Sequence, residues 1–257
     1  MLYSRMTMDK ETFQKTERLY HYTSWCAAIK IIASRTLKFG KLQHMNDVNE
    51  AHRWIFYEPG VDLSSIKEEL NRYCQISLVN DNKPRSGYNI PAMWGHYAEK
   101  GNGVCLVFDK QKLVSYLGRN MWKANIRYSR NYTGDIDIPI GDIERYFKVH
   151  KNEIFFKKTA DWRYEQEFRV VARQSEKEEL KLDFKDSLMA VIFYFAQDVP
   201  YDQCVFNSAN VKALEKIEPA LPILELGDLR GQVNLRDRAG VDWSGKDLLE
   251  NGWELDV

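Results

Sequence analysis

A chain of 257 residues in which Lys plus Arg and Asp plus Glu both number 37 carries no formal net charge, which excludes a global attraction to phosphate backbones or anionic lipid. Its 44% hydrophobic and 13% aromatic residues supply a packed core, and its 29% charged residues fit an ordinary soluble surface, which excludes disorder of the whole chain. No stretch reaches the ~18 apolar residues of a membrane helix and the opening residues lack the apolar run of a secretion signal, so a cytoplasmic protein with no membrane contact is expected.

In chain order, a polar lead-in over 1–18 precedes Leu19 to Thr23, which reads as a short strand. Ser24 caps a helix through Trp25, Ala28, Ile29, Ile31 and Ile32, where apolar residues recur at helical spacing. Thr36 to Phe39 is a further strand, and the loop KLQHMNDVNE places Asn46 and Asp47 where a turn or cap would start a helix over Ala51 to Phe56. Leu63 to Tyr73 follows a helical pattern, Cys74 to Leu78 that of a strand, and NDNKPRSGYN has the composition of an exposed loop.

Pro91 suits the first turn of a helix containing Met93, Trp94, Tyr97 and Ala98, stopped by Gly101 and Gly103 before a strand over Val104 to Phe108. Further strands are expected at Ala124 to Tyr128, Glu165 to Ala172, Leu180 to Phe184, Leu188 to Phe195 and Leu221 to Leu226, with helices over Ile143 to Phe156 and Asn207 to Ile217. Strands and helices do not alternate strictly, which favours a single α+β domain with a mixed, mostly antiparallel sheet flanked by helices. That domain is expected over 19–226, followed by an extension over 227–257 packed on or beside it, with Trp243 and Trp253 as anchors.

Cys26, Cys74, Cys105 and Cys204 stand singly in apolar runs and read as buried thiols of a reducing compartment. His21, His44, His52, His96 and His150 show no HExxH or Cys/His zinc spacing, so no metal is expected.

Four segments hold residues suited to chemistry. In WRYEQEFRVV, strand alternation puts Glu165, Glu167 and Arg169 on one face, where two carboxylates beside a guanidinium can orient a sugar hydroxyl or stabilise a cationic transition state. The plainer alternative is a charged face in water with cross-strand ion pairs. In PAMWGHYAEKGNG, Trp94 and Tyr97 can form an aromatic shelf for a base beside His96, or they can simply pack. His21 shares a strand face with Thr23 and can hydrogen-bond a ribose hydroxyl, or it can be a satisfied structural histidine. Asn46, Asp47 and Glu50 can touch ligand or build a turn and helix cap.

Taken together, YHYTS, LKFGKLQHMNDVNE, MWGHYAEKGNGVCLVFD and WRYEQEFRVV resemble, over Tyr20 to Leu226, a widespread bacterial family known only as a domain of unknown function. That pattern is further similar to the ADP-ribosyltransferase superfamily, including its DNA-modifying toxin branch with a His-x-Thr start. The resemblance implies an ADP-ribosyltransferase-like fold acting on NAD, which transfers ADP-ribose to a macromolecule or hydrolyses NAD, as a toxin or phage-defence effector. Under it, His21 and Thr23 bind the dinucleotide, Trp94 and Tyr97 wall the nicotinamide, His96 is a further cofactor-binding residue, Glu165 or Glu167 is the catalytic carboxylate, and Arg169 holds a phosphate or orients the glutamates. No Ser-Thr-Ser element precedes Glu165. The alternative function is a non-catalytic nucleotide- or partner-sensing module of a bacterial defence or stress system.

Overall fold

The structure, a computed structural model, describes residues 8–42, 63–82, 85–130, 143–174, 179–194, 208–229 and 232–244. Asn46, Asp47, Glu50, Cys204, Trp253 and the helix expected over Ala51 to Phe56 lie outside the described residues. The elements begin with α1 (Lys10–Lys15), β1 (Arg18–Thr23), α2 (Trp25–Ser34), β2 (Thr36–Lys38), β3 (Gly40–Lys41), α3 (Leu63–Asn71) and β4 (Tyr73–Asn80). There follow α4 (Pro91–Tyr97), β5 (Val104–Asp109), α5 (Lys110–Ser115), β6 (Met121–Asn125), β7 (Arg127–Ser129), α6 (Ile143–Val149), α7 (Lys151–Phe155) and β8 (Lys157–Thr159). The remainder are β9 (Glu167–Arg173), β10 (Lys181–Asp183), β11 (Leu188–Tyr194), α8 (Ala209–Ile217), β12 (Ile223–Leu229) and β13 (Gln232–Arg236). The fold is α+β, with a large, mostly antiparallel open sheet flanked by helices. No helix among the described residues is long and apolar enough to cross a membrane.

The chain divides into two compact units, one of Met1–Thr36, Val79–Tyr116 and Asp183–Val257, the other of Leu37–Leu78 and Leu117–Leu182. In the first unit the strand order is β13-β12-β11-β5-β1, and the end of β4 pairs with β1 through Asn80 and Val79. Only β11 and β12 of this series run parallel. The runs VCLVF of β5 and LMAVIF of β11 are apolar at every position because both sheet faces are covered there, and all these residues are buried. Ser24 caps α2 by accepting from the Ala27 amide, and Ser208 does the same for α8 through Val211, so both helices start where their side chains satisfy an otherwise open N–H.

The lead-in and the C-terminal extension meet in this unit. Phe13 of α1 is fully buried and meets the Trp243 ring edge-on at 5.5 Å, while Trp243 Nε1 donates to Asp237 at 3.1 Å. The extension also adds strand β13, which the Gly- and Asp-rich sequence did not announce.

In the second unit β4, β9 and β6 lie in that order, β3 adds to β4, and β7 pairs in parallel with β8. Its core gathers Tyr73, Phe147, Phe155 and Val171, with Tyr73 stacked on Phe147 at 5.6 Å and on Trp122 at 5.5 Å.

Several expected boundaries move. The strand expected over Ala124 to Tyr128 breaks at Ile126, whose amide donates to Glu167 O while Arg127 N donates to Phe156 O, so the backbone changes partners there. The helix expected over Ile143 to Phe156 breaks at His150, where ψ of 19° leaves the helical range. The loop after β4 is covered at its end, where its composition suggests exposure: Gly87 and Tyr88 are buried in the first unit, while Asn82 is exposed. Asp81 fixes it by accepting from Tyr20 Oη at 2.7 Å, the Gly87 amide at 2.9 Å and Arg18 Nε at 3.1 Å. A Cβ at Gly87 would sit 2.4 Å from the Tyr20 ring, so only glycine allows this approach. Cys74 and Cys105 are buried as expected, with burial pushing the Cys74 thiol up to about 11, whereas Cys26 is exposed.

Candidate functional site

The second unit gathers Glu165, Glu167 and Arg169, but not by the strand alternation expected. Ala160–Glu165 is a 3-10 helix, and β9 starts only at Glu167. Gln166 between them takes the left-handed conformation, φ 47° and ψ 43°, which costs a non-glycine residue ~1–2 kcal/mol. That sharp turn lets the last residue of the helix and the first of the strand aim at one cation.

The cation is Lys158 of β8, which the sequence reading did not single out. Its ammonium lies 2.6 Å from Glu165 Oε2 and 2.9 Å from Glu167 Oε2. Arg169 grips the same Glu167 carboxylate through Nε at 2.7 Å and Nη2 at 2.9 Å, and spends Nη1 on the Phe155 carbonyl at 2.7 Å. Such a two-pronged guanidinium–carboxylate pair is among the stronger hydrogen-bond geometries. Relative exposure is 6% for Lys158, 4% for Glu165, 3% for Glu167 and 2% for Arg169, so this charged face is buried and does not lie in water.

Two cations and two anions balance, which is the condition under which charges tolerate burial. Burial pushes the Glu167 carboxyl up, but the Arg169 guanidinium and the Lys158 ammonium outweigh it and hold Glu167 at about 2. Glu167 is consequently an anion throughout the physiological range. Its backbone amide donates to Tyr128 Oη at 2.9 Å, and burial keeps that phenol protonated by pushing it well above its ordinary range.

Strand β4 supplies the cluster's outward side. Ser77 is exposed on a strand whose neighbours are buried, and its hydroxyl adds to the influences that hold the Glu167 carboxyl down. Gln75, two residues earlier and 2% exposed, donates from Nε2 to Ser77 Oγ at 3.2 Å. Sequence reasoning missed Lys158, Gln75 and Ser77. The period-two spacing of Gln75 and Ser77 within YCQISLVN was the one available signal, because it sets two polar residues on one face of an otherwise apolar strand.

The first unit holds the other described candidates. On β1, Tyr20 and Tyr22 are buried on one face while His21 and Thr23 are half-buried on the other, as alternation requires. Trp94 packs on Tyr22 edge-on at 5.1 Å and on Tyr194 at 5.7 Å, and its Nε1 donates to Tyr88 O at 2.8 Å. It therefore packs against the strand face opposite to His21 and is 3% exposed. His96 is exposed and Tyr97 half-buried, their rings 6.2 Å apart. Among the described residues no group of three or more His, Cys, Asp or Glu side chains is placed to hold a metal ion.

A family model described as a protein of unknown function (DUF2971) matches residues 93–170. That match runs from Met93 on α4 to Val170 on β9 and takes in Lys158 and the three charged residues around it. Comparison with curated proteins and with solved structures finds no significant match.

Proposed function

We propose that this chain is an ADP-ribosyltransferase-like protein that acts on NAD, transferring ADP-ribose to a macromolecular acceptor or to water, in the setting of a bacterial toxin or phage-defence effector. The observation that carries the reading is the pair Glu165 and Glu167 converging on Lys158, with Glu167 fixed as an anion by Arg169. Resemblance of the spaced pair Glu165-x-Glu167 to the Glu-x-Glu form seen in some transferases of that superfamily supports it further.

The reaction breaks the bond between nicotinamide nitrogen and ribose C1′, and the electron pair leaves with nicotinamide, which departs neutral. Positive charge then develops at C1′ and the ring oxygen. A carboxylate that stays ionised and accepts a hydrogen bond from a ribose hydroxyl stabilises that charge without any proton transfer of its own. Glu167, held at about 2, suits this electrostatic role and is unsuited to general acid or base work near neutrality. Attack by an acceptor hydroxyl, amine or water forms the new bond to C1′, and the nucleophile's proton passes to solvent.

Incubation with NAD labelled in the adenylate half, with and without cell extract, tests this: label transfer or nicotinamide release is expected, and Glu167→Gln should reduce it at least ~100-fold, the scale of losing one oriented charge stabiliser. A folded wild-type protein that gives neither label transfer nor nicotinamide release refutes it.

One observation favours a second reading. The four charges of the cluster already neutralise one another inside the protein, which suits a rigid anchor in a non-catalytic nucleotide- or partner-sensing module. On that reading saturable ligand binding occurs without turnover and Glu167→Gln leaves the cellular effect intact.

A further inference from the structure

In the first unit, one side of α2 and two neighbouring segments line an open cleft of about 580 Å³, a size ordinary for a small-molecule site. Trp25 and Ile29, four positions apart on α2, share one row along the helix and form the apolar part of the wall. Cys26 and Lys30 form the next row. The turn Glu99–Gly101 with its cap adds Glu99 and Asn102, and the first turn of α8 adds Asn210.

The two charges in this wall are unspent. Among the described residues neither the Lys30 ammonium nor the Glu99 carboxylate has an ion-pair or hydrogen-bond partner, whereas Arg18, Arg35, Lys110 and Lys112 of the same unit each hold a carboxylate. Glu99 is also placed there at a conformational cost. Glu99, Lys100 and Gly101 follow one another at φ of 49°, 58° and 91°, a left-handed run that only the glycine adopts freely. Gly103 pins the end of the turn, since a Cβ there would sit 2.4 Å from Thr23 O. Strain of this kind, kept in the wall of a cleft, is characteristic of ligand clamps.

We infer that this cleft binds a short zwitterionic peptide of dipeptide size, with its ammonium on Glu99 and its carboxylate on Lys30. One cation and one anion favour a ligand that carries one charge of each sign, whereas a phosphate ester, with about two negative charges, would meet Glu99 as well as Lys30. The volume exceeds what a single amino acid fills. Asn102 and Asn210 carry amides, which match the donor and acceptor of a peptide group between the charged ends, and Trp25 and Ile29 suit an apolar side chain. The site lies within the first unit and does not rest on the NAD reading.

Calorimetric titration of the full chain with alanyl-leucine, leucyl-alanine and alanyl-phenylalanine tests the inference, beside the N-acetyl and C-terminal amide forms of whichever binds best. Binding with a Kd below about 1 mM is expected, and blocking either end should weaken it about tenfold or more. Lys30→Met should then bind the dipeptide and its amide alike, and Glu99→Gln the dipeptide and its N-acetyl form alike. Both variants should melt close to wild type, because both side chains are exposed. Bound peptide should also slow alkylation of the exposed Cys26 by iodoacetamide, read residue by residue by mass spectrometry, which locates the ligand. The inference falls if no dipeptide binds below that limit, if the blocked forms bind as well as the free one, or if binding leaves Cys26 alkylation unchanged. It also falls if inorganic phosphate or adenosine monophosphate protects Cys26 and the dipeptides do not.

Discussion

Replacing Lys158 by Met probes how the buried cluster holds together. The substitution keeps a flexible side chain of similar length and removes the ammonium that lies 2.6 Å from Glu165 and 2.9 Å from Glu167, along with its position 5.3 Å from the Trp162 ring centre. The cluster goes from two cations and two anions to one and two. Breaking a buried ion pair from one side costs ~3–5 kcal/mol, because the partner's charge stays buried without compensation. Against a total of ~5–15 kcal/mol for a domain, that is a large fraction and easily read from urea unfolding at pH 7. The double variant Lys158→Met with Glu165→Gln returns the cluster to one cation and one anion, Arg169 on Glu167, so it should be more stable than the sum of the two single losses by ~1–3 kcal/mol. A cost below ~1 kcal/mol for Lys158→Met, or strict additivity in the double variant, would refute the account of the cluster as a balanced set of buried charges.

Acid titration offers a second test. Glu167 sits at about 2 in the folded protein against an ordinary 4.5, so its stabilisation is complete above about 4.5 and is lost as the pH falls through 2, at a total of ~3 kcal/mol. Unfolding free energies measured from pH 6 to pH 2 should show that loss in wild type, and Glu167→Gln should flatten the slope so that the two curves approach each other at the acid end. Parallel curves would contradict it. In the first unit, Trp243→Ala removes the ring against Phe13 and the hydrogen bond to Asp237, and should cost ~3–5 kcal/mol. Hydrogen exchange should then show α1 losing protection ahead of β5, and unchanged exchange in α1 would mean that the contact does not anchor the lead-in.

Long apolar strands and capped helices were legible in the sequence because their signals are local. Ser24 before WCAAIKII, Pro91 before AMWGHY, and the unbroken apolar runs of β5 and β11 each specify their element without help from distant residues. What failed to show was whatever depends on a distant partner. The strand over Ala124 to Tyr128 breaks because Ile126 and Arg127 bond to Glu167 and Phe156, some 30 to 40 positions away. The loop after β4 has the composition of an exposed turn, yet Asp81 draws it onto Tyr20 and Arg18, and no local pattern records that. Trp94 has the spacing of a shelf for a ligand, and its burial against Tyr22 follows only from the helix lying on β1.

The candidate site was half legible for the same reason. Glu165, Glu167 and Arg169 come together as their proximity in sequence suggests, but alternation along one strand is not the cause, since Glu165 belongs to a 3-10 helix and a left-handed Gln166 separates it from β9. The alternation argument could never have supplied Lys158, which enters from a strand paired with β7, nor Gln75 and Ser77, which enter from β4.

That difference bears on how the site can work. Were the three charges on the open face of a strand, water would screen them and the two glutamates would titrate near their ordinary values. Brought under cover with Lys158, they form a fixed arrangement in which Glu167 is ionised at any working pH. Such an anion can act by holding a hydroxyl and by its field, and a reaction that depends on it should show a flat pH profile from about 5 to 8. A profile that rises with a midpoint in that range would have to come from another group, such as the acceptor nucleophile itself. On the sensing alternative the same fixed anion would show up only as a pH-independent affinity. The pH dependence of turnover, measured beside that of binding, thus separates an electrostatic role for Glu167 from proton transfer by any member of the cluster.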